Sequence, residues 1–264
     1  MRAVRLIMML IVAALSVFSY CTERTVNPIT GEEQHVGLTP EQEVAMGVQV
    51  APEMARRFGG IDRDERLQQP VKAVGEKIVA QSIAAQSGYP FDFRVLADDQ
   101  TVNAFALPGG QIFITVALLE RLKTDEQLAA VLSHEVGHVI ARHSAERLAK
   151  EKLTQGLTGA VVMGSGSYEM AQVAQLVGGL IHMKYGRADE IEADKLGLCL
   201  MNQAGYPPAA LVDVMRILAE AGGGSPLPEF ASTHPHPKNR AKKIQAYIED
   251  LNGTCAFDLA PPSP

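Results

Sequence analysis

Tryptophan is absent from this 264-residue chain, and the other aromatics are few: six Tyr and eight Phe. A core cannot then rest on large rings and must be built from Leu, Val, Ile, Ala and Met. There is enough of these, because 47% of the residues are hydrophobic, which excludes an intrinsically disordered chain. No run of Lys or Arg occurs, and the formal net charge is −6. Nucleic acid is therefore excluded as a partner on electrostatic grounds. The three cysteines, Cys21, Cys199 and Cys255, form no Cys-x-x-Cys pair, so a cysteine-rich structural zinc site is excluded as well. Cys199 lies in the apolar "LGLCLM" and is expected as a buried free thiol. A Cys199–Cys255 disulfide is the alternative in an oxidising compartment. No internal repeat is visible.

The apolar run at residues 6–20, "LIMMLIVAALSVFSY", is short of the ~20 residues that span a bilayer. Arg2 and Arg5 precede it, so residues 1–20 read as a secretory signal. Cys21 follows directly, a position that suggests bacterial lipoprotein processing. The mature protein would then be periplasmic and membrane-anchored through a lipid on Cys21. Tyr20 departs from the small residue which that pathway favours, so an uncleaved anchor and ordinary cleavage stay open. Residues 21–38 are polar and read as turns and a tether. One folded domain is expected over 39–253, with 254–264, ending in "APPSP", as a flexible tail.

Within that domain, Thr39 with Pro40 signals a helix start, and helical apolar spacing continues over 64–86. "YPFDFRVLA" (89–97) reads as a strand. "VNAFAL" and "QIFITV" read as two more around a turn carried by Pro108, Gly109 and Gly110. Thr124 and Gln127 form a capping box for a helix running to about 150. A Gly-rich stretch (156–166) follows, then helices near 169–184, 188–203, 207–220 and 236–250. The fold class is α+β, mostly α, with a small sheet.

The chemistry is concentrated at "SHEVGHVIARH" (133–143). Residues four apart on a helix are offset by only about 40°, so His134 and His138 share a face and can chelate one Zn²⁺. Glu135 points to the side of the pair, where it can reach an activated water as a general base without ligating the metal. By chance the pattern occurs in roughly one chain of this length in a hundred. The apolar neighbours Val131, Leu132, Val136, Val139 and Ile140 argue against an exposed polar face. His143 is rejected as a third ligand, because on an unbroken helix it lies about 140° round from His138. The segment "YGRADEIEADKLG" (185–197) offers better candidates. Glu190 and Asp194 share a helical face, whereas Glu192 lies about 160° from it. Glu190 is assigned to the zinc, and Asp194 to the free N–H of a ligating histidine.

"HEVGH", "EIEAD" and the preceding "NAFALPGG" resemble, in the same order, the zinc endopeptidases typified by HtpX and the CAAX prenyl endopeptidases. They look most like the soluble periplasmic lipoprotein branch. The resemblance covers roughly 25–250. It implies a gluzincin-type metalloprotease domain with one zinc per chain, His134, His138 and Glu190 as ligands, and Glu135 as base. The multiple membrane spans of HtpX and the prenyl enzymes are missing, so their integral-membrane roles do not carry over. The resemblance also points to a late histidine–arginine element in "THPHPKNR" (233–240), with His234 steadying the oxyanion and Arg240 orienting it. His236 is the rival to His234. Asn103, Ala104, Phe105 and Ala106 form the edge strand that would hold an extended substrate by main-chain pairing.

The function expected is therefore cleavage of peptide bonds, in misfolded or misassembled proteins of the cell envelope. A periplasmic chaperone or assembly factor with a vestigial zinc site is one alternative. Intact Glu135 speaks against it, because a structural site needs no base. A zinc hydrolase acting on peptidoglycan or small amides is another.

Overall fold

The computed structural model describes residues 2–162, 185–221, 230, 234 and 240–250. In chain order these form α1 (Arg2–Thr22), β1 (Arg24–Val26), β2 (Glu33–His35), α2 (Pro40–Arg57) and α3 (Glu65–Ala80). After a 3₁₀ turn at Ile83–Ser87 come β3 (Asp92–Leu96), β4 (Ala104–Ala106) and β5 (Gln111–Thr115). Then follow α4 (Val116–Leu119), α5 (Asp125–Ile140), α6 (His143–Val162), α7 (Arg187–Gln203), α8 (Ala210–Ala221) and α9 (Arg240–Asp250). This is the expected α+β class, mostly helical with two small sheets. The expected helix at 169–184 and the tail at 254–264 lie outside the described residues.

Local signals set the element starts. Thr39 accepts from the Gln42 N–H while Gln42 reaches back to the Thr39 N–H, and Pro40 opens α2. Thr124 caps α5 by accepting from the Gln127 N–H. α3 is shorter than its apolar spacing suggested. Ser82 accepts from the Ala84 N–H and starts the separate 3₁₀ turn.

β3 runs parallel to β5, and β4 pairs antiparallel with β5, giving the order β3-β5-β4 with β4 at an edge. Gly109 and Gly110 make the β4–β5 turn at φ 80° and 103°, the left-handed region that glycine enters without a Cβ clash. Phe93, Val95, Ile112 and Ile114 from the sheet pack with Val71, Val74 and Ile78 of α3 and Leu128, Ala129 and Leu132 of α5. Every residue of α5 from Leu128 to Ile140 is buried. Such a helix is buried all round and has no solvent face.

The expected helix through 150 is two helices. α5 ends at Ile140, and Arg142 takes φ 58°, the one positive φ at a non-glycine among the described residues. That conformation costs about 1–2 kcal/mol. Charge-assisted bonds offset it, because the Arg142 guanidinium binds the buried carboxylate of Glu43 on α2 and the Leu38 carbonyl. No Gly or Pro marks this corner in the sequence.

Residues 21–38, expected as a tether, hold the β1–β2 hairpin. Its buried Asn27 and Gln34 donate side-chain N–H groups to the carbonyls of Ile140 and Ala141. α1 lies along α6, and Ile7, Met8, Leu10, Ile11, Leu15, Val17 and Phe18 are exposed. Among the described residues no helix is long and apolar enough to cross a membrane. Cys21 is an exposed free thiol. Cys199 is buried and disulfide-bonded, which corrects the free-thiol expectation. Cys255 lies outside the described residues.

Candidate metal centre

Two glycines let α5 and α7 meet almost backbone to backbone. A Cβ on Gly137 would lie 3.0 Å from the Ala193 carbonyl oxygen, and one on Gly197 would lie 3.2 Å from the His134 nitrogen. This close crossing carries Glu190 of α7 to the two histidines of α5. His134 Nε2 and His138 Nε2 are 3.1 Å apart. Glu190 Oε2 is 3.7 Å from the first, and its Oε1 is 3.5 Å from the second. His234 joins them from beyond α8, with Nδ1 2.9 Å from Glu190 Oε1 and 3.4 Å from His134 Nε2. One ligand atom from each of the four lies within 4.8 Å of all the others, and all four residues are buried.

A second ring of groups holds this cluster. Asp194 Oδ1 is 3.1 Å from His134 Nδ1. Arg240 donates to Asp194 at 2.6 Å, and its Nη1 is 2.9 Å from Glu190 Oε2. On the other side His143 Nδ1 is 2.8 Å from His138 Nδ1, and His143 Nε2 is 3.3 Å from Glu192 Oε2. His143 is thus not in the four-residue cluster but hydrogen-bonds to it. On an unbroken helix His143 would lie about 140° round from His138, but the Arg142 corner turns it back toward that ring.

Burial and charge set the protonation states. Burial pushes the His138 imidazole well below its usual pKa, so it stays neutral and able to ligate. Burial works to raise the Glu190 carboxyl, but the facing His234, which also bonds to it, and the close approach of His138 hold it well below the usual range. Burial likewise opposes ionisation of Asp194, and the bond from Arg240 outweighs it. Glu135 is pushed up by burial against the pull of His234 and His134. Against its burial, His234 is raised by Glu190 and Glu135.

A divalent cation fits this donor set. With His134 Nδ1 donating to Asp194 and His138 Nδ1 donating to His143, both Nε2 atoms carry lone pairs and face each other at 3.1 Å. A carboxylate oxygen of Glu190 faces the same point. Both carboxylate oxygens of Glu135, and Nε2 of His234, are buried without a hydrogen-bond partner among the described residues. Buried polar atoms are normally satisfied. A cation with its coordinated water would satisfy this set.

Asn103 is buried, with its N–H donating to the Thr115 hydroxyl, and Ala104–Ala106 are the edge strand β4, in contact with α5. His236 lies outside the described residues. Tyr185 escaped the sequence reading. Its ring stacks on His138 at 3.9 Å between centroids, and its hydroxyl pairs with Ser144 at 3.0 Å. A tyrosine directly before the "GRADE" helix start was the available signal.

A histidine pair and a carboxylate on crossing buried helices, with a free carboxylate beside them, make a candidate metal centre of the kind that metallopeptidases carry. The family model described as Peptidase family M48 matches residues 65–248, and the chain belongs to that family. It is 36% identical to "Mitochondrial metalloendopeptidase OMA1" of Schizosaccharomyces pombe over 186 residues, 68% of this chain and 52% of that protein. It is 31% identical to "Beta-barrel assembly-enhancing protease" of Yersinia pestis over 223 residues, 81% of this chain and 45% of that protein. The protein of the same name from Escherichia coli is 29% identical over 223 residues, with the same shares covered. The chain spans about half the length of the curated relatives it matches.

Proposed function

We propose that this chain is a zinc endopeptidase of the bacterial cell envelope, acting on misfolded or misassembled proteins. The observation that carries the reading is the convergence of the His134 and His138 Nε2 atoms and the Glu190 carboxylate, beside a buried Glu135 whose carboxylate oxygens have no hydrogen-bond partner among the described residues. His134, His138 and Glu190 would hold the ion, and two histidines with a carboxylate are a set that catalytic zinc sites use. Zinc, when bound, polarises a peptide carbonyl and makes a water acidic enough to attack near neutral pH. Glu135 takes the proton of the attacking water and passes it to the leaving amine. Asp194 keeps the His134 proton on Nδ1, and Arg240 holds Asp194. β4, with Asn103 ahead of it, pairs with an extended substrate. The envelope assignment is supported by the apolar segment ending at Cys21 and by relatives named for β-barrel assembly. Membrane attachment runs through a lipid on Cys21.

A second reading concerns His234. An oxyanion donor would stand off the ligand cluster, yet His234 Nδ1 lies within it, 2.9 Å from Glu190 Oε1. This favours His234 as a fourth ligand in a closed resting state, which must withdraw before a substrate carbonyl can enter.

The experiment is cleavage of an unfolded protein such as casein by the purified chain. A chelator abolishes cleavage and added zinc restores it. Glu135→Gln keeps about one zinc per chain while cleavage falls by at least the 10²–10⁴-fold that a general base supplies. Substantial cleavage by that variant would overturn the assignment and favour the non-enzymatic alternative.

A further inference from the structure

We propose that His143 and Glu192 form a two-step relay that fixes the tautomer of His138 and so makes it a metal ligand. Both are positioning residues, and the proposal rests on reading His138 as a ligand. An imidazole has two distinct nitrogens, and a neutral ring carries its proton on only one of them. His138 Nε2 faces the cluster, 3.1 Å from His134 Nε2 and 3.5 Å from Glu190 Oε1. To offer a lone pair there, His138 must carry its proton on Nδ1. That nitrogen lies 2.8 Å from His143 Nδ1. Two neutral imidazole nitrogens at this distance are one donor and one acceptor, so His143 Nδ1 accepts.

The choice propagates outward. The His143 proton then sits on Nε2, 3.3 Å from Glu192 Oε2. The Glu192 oxygen is the acceptor at the end of the chain of contacts, and this sets its direction. One arrangement satisfies every contact: both protons point away from the cluster and toward Glu192. In the reverse arrangement the His138 proton would point into the cluster and block the ligand position. His134 gets the same service in one step, directly from Asp194 at 3.1 Å. The two histidines are therefore held differently, one by a carboxylate and one by a carboxylate acting through a second histidine. His134, His138, Glu190 and Asp194 all lie on α5 and α7 and share their close crossing. This relay instead reaches across the Arg142 corner to α6. His143 is buried and Tyr185 flanks both rings, so the geometry is held rigidly.

The experiment measures zinc affinity of the full chain by competition with a chelator, with thermal melting as the check on folding. Wild type is expected to bind one zinc and His138→Ala to lose it. Failure there would remove the reading of the site, and the relay with it. With that reading intact, His143→Phe keeps a ring but no acceptor, and should weaken zinc binding about 10–100-fold. His143→Asn places an amide oxygen near the position of Nδ1 and should bind within a few-fold of wild type. A packing role predicts the opposite order, because Asn leaves the larger gap. Affinity in His143→Phe equal to or better than in His143→Asn therefore overturns the relay. Should His143→Phe not fold, Glu192 decides, since its side chain is 25% exposed and tolerates change. Glu192→Gln retains an acceptor and should match wild type, whereas Glu192→Leu should weaken binding about 10-fold, near the lower end of such effects. Equal affinities for those two variants would likewise overturn it.

Discussion

Gly137→Ala isolates the spacing between α5 and α7. The new Cβ would sit 3.0 Å from the Ala193 carbonyl oxygen and 3.3 Å from its Cα. Both contacts are tighter than ordinary van der Waals separation, so the helices must part by a few tenths of an ångström. The obstacle is backbone and cannot swing aside. Glu190 lies one turn earlier on the same helix, so it moves with Ala193. Metal–ligand distances are held within about 0.2 Å, a tolerance smaller than the imposed shift. Zinc affinity should fall about 10–100-fold, as it does when a ligand's support is removed. Stability should respond far less. Alanine gains about 1 kcal/mol of helix propensity over glycine, and overpacking costs about 1–3 kcal/mol. The net loss lies between nothing and about 2 kcal/mol. Chelator competition reads the first quantity and thermal melting of the metal-free protein the second. Gly197→Ala, with its closest contact at 3.2 Å, should show the same pattern more weakly. A folded Gly137→Ala protein with wild-type zinc affinity would refute the view that this crossing sets the ligand geometry.

The remaining predictions concern His234, Arg142 and Cys21. As a fourth ligand of a resting state, His234 yields higher casein cleavage on change to Ala. A 10²–10³-fold fall in kcat with zinc retained would return it to the oxyanion role. Arg142→Ala leaves the Glu43 carboxylate buried and unpaired, which should cost about 3–5 kcal/mol in a denaturant melt. A change under 1 kcal/mol would show that the corner does not depend on this pair. Cys21→Ala should move the protein from the membrane fraction to the soluble one. Unchanged fractionation and an unchanged N-terminal mass would rule out the lipid.

Much of the site was legible because its parts are periodic. His134 and His138 repeat at one helical turn, and so do Glu190 and Asp194, so each pair could be placed on a face before any fold was known. The three short strands and their Gly-Gly turn were readable for the same reason, from alternation and glycine chemistry. What was not legible depends on tertiary partners. The break at Arg142 carries no Gly or Pro, and it is sustained by buried Glu43, the Leu38 carbonyl and the hairpin amides. With the break hidden, His143 appeared to point away from the metal. The docked hairpin at 24–35 looked like a tether, because its polar residues act by meeting carbonyls far along the chain. The disulfide state of Cys199 was also misread, since an apolar context does not distinguish a thiol from a bridge.

The Asn27 and Gln34 side chains end the histidine-bearing helix by taking the carbonyls of Ile140 and Ala141. The smallest part of the chain that can fold with an intact site therefore begins well before the family match at residue 65. A truncation starting there would delete these two amides and Glu43 together. The last turn of α5 would fray, and His138 would lose its fixed place while every ligand remained in the sequence. Proteolytic trimming between the hairpin and α3 would loosen the metal site while leaving every ligand in the chain.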